Sequence, residues 1–230
     1  VEGGRPGTAG WEEYSQGMPF NGNVFMEISE YNTLLGNNDG YYKDKGSKFI
    51  ALAYNVKSEQ DAKESLNTVK KKYYDARHHC YAYRITPEKE FSRSSDDGEP
   101  SGTAGKPILN QLLSFELFNV MIIVVRYFGG TKLGVSGLIR AYKAATRDVI
   151  QNNKIVKSYI TRQIKLSFDY PKMNQVMRII KEENIKVIEH DFATNCKIII
   201  EIKKNAKKNA LIKFEKIRGI FITCLKNKQI

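Results

Sequence analysis

From Ser47 onward, apolar positions fall into short runs separated by polar punctuation, and each run carries the period of one kind of element. The run KFIALAYNV, residues 48–56, predicts a strand. Ser58 then suits the N-cap of a helix whose apolar residues Ala62, Leu66, Val69 and Tyr73 recur at helical spacing. His78 to Ile85 returns to strand character. A stretch rich in Ser, Asp, Gly and Pro runs from Ser92 to about Gly105, which is long for a plain connection and marks a candidate functional loop. Pro107 fits the first turn of a helix carrying Ile108, Leu109, Leu112 and Leu113, and Val120 to Tyr127 reads as a buried strand. Gly129, Gly130, Gly134 and Gly137 lead into a further helix with Leu138, Tyr142, Ala145 and Val149 on one face. The order β-α-β-loop-α-β-α predicts a layered α/β module.

Between Gln151 and Ser158 the pattern lapses into QNNKIVKS, which predicts a linker open to proteolysis. A second module follows. Ile160, Ile164, Leu166 and Phe168 alternate with polar residues as in a one-sided strand, and Met173, Val176, Met177 and Ile180 mark a helix. Strands are predicted at Ile185 to Phe192 and through Cys196, Ile198, Ile200 and Ile202, with a turn near Thr194 and Asn195. A helix with Ala210, Phe214 and Ile217 and a strand from Ile220 to Leu225 complete β-α-β-β-α-β, the ferredoxin-like order. Residues 1–25 show no periodicity and read as a leader or remnant, with Met26 as the natural start. The predicted domains are therefore 26–153 and 160–230, in an α+β chain.

Composition narrows the function classes. A 41% hydrophobic content with 13 Tyr and 11 Phe excludes wholesale disorder, collagen and coiled coil. The longest aliphatic run, Val120 to Val125, is far short of the roughly 18 residues that span a bilayer, and the N-terminus has no signal-peptide pattern. These features predict a cytoplasmic protein with no membrane partner. Cys80, Cys196 and Cys224 share no CxxC spacing, which argues against a disulfide framework or a structural zinc site. The net charge of +12 is concentrated late in the chain: residues 160–230 hold 16 Lys and Arg against 7 Asp and Glu. Such a field favours RNA or another polyanion, although a Lys-rich composition alone serves solubility equally well.

Three segments carry the unusual chemistry. In YYDARHHCYAY, residues 73–83, His78 and His79 are adjacent on a strand and must point to opposite faces, so they are not expected to serve one site. His190 lies far away, and no metal or cofactor is predicted. In SSDDGEPSGTAGKP, residues 94–107, the spacing of Asp96, Asp97 and Glu99 fails the EF-hand pattern. This loop is either a solvated acidic turn or a clasp that folds onto Arg77, Arg126 or Lys132. In VVRYFGGTKLGVSGLIRAY, residues 124–142, a strand delivers Arg126 into a Gly-rich turn with Lys132 ahead of a helix, as in a phosphate pocket. Glycines required only for packing or positive φ explain the same residues equally well.

Together, DARHHCYAY, DDGEPSGTAGKPIL, VVRYFGGTKLG and GLIRAY resemble the signature blocks of the YigZ/IMPACT family, in order, between about Lys48 and Ala145. The resemblance implies a two-layer first domain of the ribosomal-protein type, like domain IV of elongation factor G, followed by the small C-terminal domain of bacterial members. It thereby implies RNA or ribosome contact and a role in translation, with no DNA partner expected. The RWD domain of eukaryotic members has no counterpart here, so their control of a kinase pathway is not implied. Arg77, Arg126, Lys132 and Arg140 are the expected phosphate-binding residues of the first module. Lys203, Lys204, Lys207 and Lys208 would add sequence-independent contacts from the second. The alternative is a hydrolase or phosphate-handling enzyme using Asp97 or Glu99 with His79 as acid and base and Lys132 as support. The cleft reading requires the strands at 78–85 and 120–127 to be antiparallel neighbours, which places Arg77 and Arg126 at the same edge.

Overall fold

The computed structural model describes residues 29–36, 38–85, 90–192 and 195–225, so the expected leader at 1–25, Met26 and Thr194 lie outside the described residues. The elements run β1 (Glu30–Leu35), β2 (Gly40–Asp44), β3 (Ser47–Asn55), α1 (Glu59–Lys72), β4 (His78–Ile85), β5 (Phe91–Ser95), α2 (Gly105–Ser114), β6 (Val120–Tyr127), α3 (Gly134–Gln151) and β7 (Lys154–Tyr159). They continue through β8 (Thr161–Asp169), α4 (Met173–Glu182), β9 (Lys186–Asp191), β10 (Asn195–Lys203), α5 (Lys207–Glu215) and β11 (Phe221–Cys224). Among the described residues no helix is long and apolar enough to cross a membrane.

The first sheet has the order β2-β3-β6-β4-β5, with every neighbouring pair antiparallel. Its centre, β6, buries Val120 to Val125 without a break. A strand apolar on both sides needs cover on both faces. One face packs Phe49, Ala51, Ala53, Cys80, Ala82, Ile122 and Val124 under α2 and α3. The other packs Leu52, Tyr83, Ile85, Met121, Ile123 and Val125 against Ala62 and Val69 of α1. The expected two layers are thus three, because α1 covers the face opposite α2 and α3. Helix α1 starts as expected at Ser58. The Ser58 hydroxyl accepts from the Asp61 N–H at 3.1 Å, and the Asp61 carboxylate accepts from the Ser58 N–H at 3.2 Å.

The second sheet has the order β11-β8-β10-β9, again antiparallel throughout, in the expected β-α-β-β-α-β sequence. Ile164, Leu166, Phe168, Cys196, Ile198, Ile200 and Ile202 face α4 and α5 across a separate core that includes Val176 and Phe214. Met177, expected on the apolar face of α4, is instead 39% exposed, and Ile179 takes its place in the core.

The expected linker is not a loop. Gln151 closes α3, and residues 154–159 form β7, paired over its full length with β1. The side chain of Asn153 is buried, bonding the Val149 carbonyl at 2.7 Å and the Asn38 carbonyl at 2.9 Å. This β1–β7 ribbon reaches both modules. Its Asn32 carbonyl accepts from the Phe118 N–H at 2.9 Å, and Ile160, immediately after β7, accepts from the Lys204 N–H at 2.8 Å. Backbone held in a ladder is a poor protease substrate. Limited proteolysis of the native protein, read by fragment masses, is therefore expected to spare residues 151–158; rapid cutting there would mean that the ribbon opens.

Candidate functional site

Strands β4 and β6 are antiparallel neighbours, with His78 opposite Arg126 and Cys80 opposite Val124. This is the pairing the cleft required. Around it the three unusual segments converge, and most of their polar groups are turned inward. The loop after β5 wraps over the end of β4 and continues into α2. In the β4–β5 register Tyr81 faces Ser95, so Asp97 falls opposite His79, where a strand residue would otherwise stand. The Asp97 carboxylate accepts from the His79 N–H at 2.7 Å, and its carbonyl lies 2.9 Å from His78 Nδ1. His79 Nδ1 is 3.7 Å from the same carboxylate, while Nε2 is 3.0 Å from the Tyr73 carbonyl. The two histidines do flank the strand, yet both meet Asp97, because the loop crosses the open edge of β4 beyond β5.

Asp96 holds the start of α2. Its carboxylate accepts from the N–H groups of Gly102 at 2.8 Å, Ala104 at 2.9 Å and Gly105 at 2.8 Å. Ala104, the N-cap residue, has no side chain able to do this, so an acid eight residues earlier supplies the cap. Burial pushes the Asp96 carboxyl up, but the three donors outweigh it and hold the group below the ordinary carboxylate range. Gly105 is obligatory, since a Cβ there would lie 2.7 Å from the Ser95 backbone.

Glu99 closes the loop from inside. Its carboxylate accepts from Arg126 Nη1 at 2.6 Å and from the Tyr142 hydroxyl at 2.8 Å, with the Glu99 and Arg126 side chains only 4% and 7% exposed. The Tyr142 hydroxyl is 3.2 Å from Cys80 Sγ, which also lies 3.0 Å from the Asp96 carbonyl. Burial raises both the Tyr142 and the Cys80 pKa, so neither is a nucleophile at neutral pH. Arg126 Nη2 is 3.5 Å from Ser47 Oγ, which accepts from the Gly129 N–H at 3.2 Å. A Cβ on Gly129 would come within 1.8 Å of Gly46. That glycine is needed for close packing of the β2–β3 turn, whereas Gly130 and Gly134 have positive φ and open space around them.

The clasp is thus formed on Arg126, and among the described residues no hydrogen bond or ion pair joins the loop to Arg77 or Lys132. Arg126 was expected on a phosphate-binding surface but is buried and neutralised by Glu99. Arg77 and Lys132 are exposed. Arg140 is exposed and pairs with Asp44 at 3.4 Å. In the second module Lys203 extends over the Tyr159 ring at 3.7 Å, the Lys204 N–H is used by Ile160, and the Lys207 and Lys208 side chains lie outside the described residues. Of the expected acid–base group, His79 and Asp97 are together, Glu99 is committed to Arg126, and Lys132 is exposed without a hydrogen bond or ion pair to them among the described residues. No cluster of three or more potential metal ligands occurs among the described residues.

Sequence reasoning named Arg140 but missed the rest of its row on α3. Arg140, Lys143 and Arg147 are spaced by three and four residues, so they share one face, and all are exposed. Lys132 precedes this row, and exposed Lys106 lies on the neighbouring α2. Among the described residues no carboxylate pairs with Lys106, Lys132, Lys143 or Arg147. The signal was present in GLIRAYKAATR, where apolar residues define one helical face and thereby the cationic one opposite.

Residues 45–150 match the model of the Impact N-terminal domain. The chain is similar to the IMPACT family member YvyE of Bacillus subtilis, 36% identical over 149 residues that cover 65% of this chain and 69% of that one. It is also similar to the IMPACT family member YigZ of Escherichia coli, 31% identical over 64% of this chain and 74% of that one. A crystal structure of a hypothetical protein, 24% identical, superposes with a TM-score of 0.67 over 87% of this chain and all of the other, and shows the same fold.

Two predictions follow from the buried network. Replacing Arg126 by Ala leaves the Glu99 carboxylate buried without its cation, which costs about 3–5 kcal/mol, far above the about 0.5 kcal/mol of a surface charge. Urea unfolding measures this, and the double variant Arg126→Met with Glu99→Gln is expected to recover most of the loss. For Asp96 the folded pKa is depressed, so its contribution is complete above the unfolded carboxyl value of about 3.9 and fades as pH falls through the lower folded value. Asp96→Asn is expected to lose stability at neutral pH and to lose less than the wild type on acidification below about pH 4, read by thermal unfolding across pH.

Proposed function

The chain belongs to the IMPACT family, and on that premise we propose that it is a cytoplasmic RNA- or ribosome-associated protein with a role in translation or its regulation. The observation that carries this reading is the exposed row Lys132, Arg140, Lys143 and Arg147, with Lys106 beside it. From Arg140 to Arg147 the helical part of the row extends about 10 Å at the rise of a helix, with Lys132 ahead of it. Exposed cations at fixed spacing, of which only Arg140 has a carboxylate partner among the described residues, suit a phosphate backbone, which they neutralise without reading bases. Arg126 is withdrawn from the proposed binding set, and Lys143 and Arg147 take its place beside Arg77, Lys132 and Arg140.

The second module supports the same reading through its surplus of 16 basic over 7 acidic residues across 160–230. We assign its strand order and β-α-β-β-α-β connection to the ferredoxin-like class, and the division into domains to the two separate cores. Likeness of the first module to domain IV of elongation factor G belongs to the same proposal, and it favours the ribosome as the setting for RNA contact.

The test is binding of fluorescently labelled single-stranded RNA over a salt series. Affinity is expected to fall with a log–log slope of about −0.7 per phosphate neutralised. Reversing Lys143 and Arg147 to Glu is expected to weaken all sequences alike and to flatten that slope by about 1.4 or more, with unfolding unchanged. Wild-type protein that binds no RNA at low salt would remove the reading.

A further inference from the structure

The face of the first sheet covered by α1 alone leaves a slot of about 230 Å³ between that helix and the β4–β5 hairpin. Its walls are Tyr81 and Tyr83, two residues apart on β4, together with Leu66 of α1 and Met121 of β6. The two tyrosine rings are parallel to within 3°, with centroids 6.2 Å apart. Tyr83 is buried and forms the inner wall, whereas Tyr81 is half-buried and offers its ring to the opening. Exposed Arg93 stands across the strand pair from Tyr83 and lines the slot. Lys63 and Glu59 flank the mouth from α1.

Resting on the RNA reading above, we propose that this slot seats one unpaired nucleobase, stacked on Tyr81, with Arg93 and Lys63 meeting the adjoining phosphate. The volume lies below the roughly 300–1,000 Å³ that encloses drug-sized ligands, so the slot admits a single planar ring system and leaves sugar and phosphate outside. Aromatic walls with cations at the rim match the two halves of a nucleotide, and single strands are bound by this combination of stacking and backbone neutralisation. Glu59 adds an acceptor at the mouth for an exocyclic amino group. A cleft of about 620 Å³ on the opposite side also carries aromatic and charged residues, but its Phe118 ring is covered by Arg84 at 4.0 Å and its Lys157 is paired with Glu30 at 2.7 Å. Its Arg84 is already engaged by Glu90 at 2.9 Å and by the Leu112 and Leu117 carbonyls at 3.3 and 3.2 Å.

The experiment uses a short single-stranded RNA with one 2-aminopurine, and the same strand with an abasic residue at that place, titrated with the full chain. Stacking is expected to quench the fluorophore, and the abasic strand to bind roughly 5- to 150-fold more weakly. Tyr81→Ser, and the exposed edge-strand variant Arg93→Glu, which threatens folding least, are each expected to abolish the quench. Tyr81→Phe is expected to retain it. RNA binding that is indifferent to the abasic residue, or a quench that survives both Tyr81→Ser and Arg93→Glu, overturns the slot and leaves the α3 row standing. Absence of any RNA binding at low salt removes both.

Discussion

The buried pair of Arg126 and Glu99 is the contact on which the first module's functional-looking residues depend. Arg126 comes from the central strand, Glu99 from the loop between β5 and α2, Tyr142 from α3 and Ser47 from the start of β3. The guanidinium thus ties the loop and the start of β3 to the central strand directly, and α3 through Glu99. A buried ion pair of this kind adds little net stability over an apolar substitute, because desolvation of both charges offsets their attraction. Its effect is on geometry. With Glu99 anchored, Asp96 lies where it can cap α2, and Asp97 lies where it completes the edge of β4.

In this arrangement the residues that look catalytic are engaged in contacts that hold the loop to the sheet. Cys80 and Tyr142 are buried against each other with raised pKa values, and His79 is held by the Tyr73 carbonyl and Asp97. A histidine, a thiol, three acids and an arginine are spent on folding one loop tightly against a sheet. On one face of the sheet α3 presents cations in a row, and on the other the single helix α1 leaves Tyr81 and Arg93 accessible.

The β1–β7 ribbon bears on how the two modules relate. Each has its own core, yet the ribbon hydrogen-bonds to the segment before β6 and, through Ile160, to the end of β10. The connection is thus a paired strand that fixes the backbone entering the second sheet.

The chain's own periodicity determined the buried elements: β3, β4, β6, β8 and β10, and all five helices, were legible because burial of one or both faces imposes a period of 2 or 3.6 on the residues themselves. The N-cap at Ser58 and the antiparallel pairing of β4 with β6 were legible for the same local reason and from the demands of the cleft. The edge strands β1, β2, β5 and β7 were not. FSRSS and KIVKSY carry no strong apolar alternation, because an exposed strand draws its register from the neighbour it pairs with. The role of Arg126 was equally invisible. An arginine at the end of an apolar strand, beside glycines and a lysine, reads as a phosphate ligand until the fold shows which anion reaches it. Only tertiary structure brought Glu99 there, across a loop whose path is set by Asp96 and Gly105, and that encounter decided that one cation belongs to the core and the others to the surface.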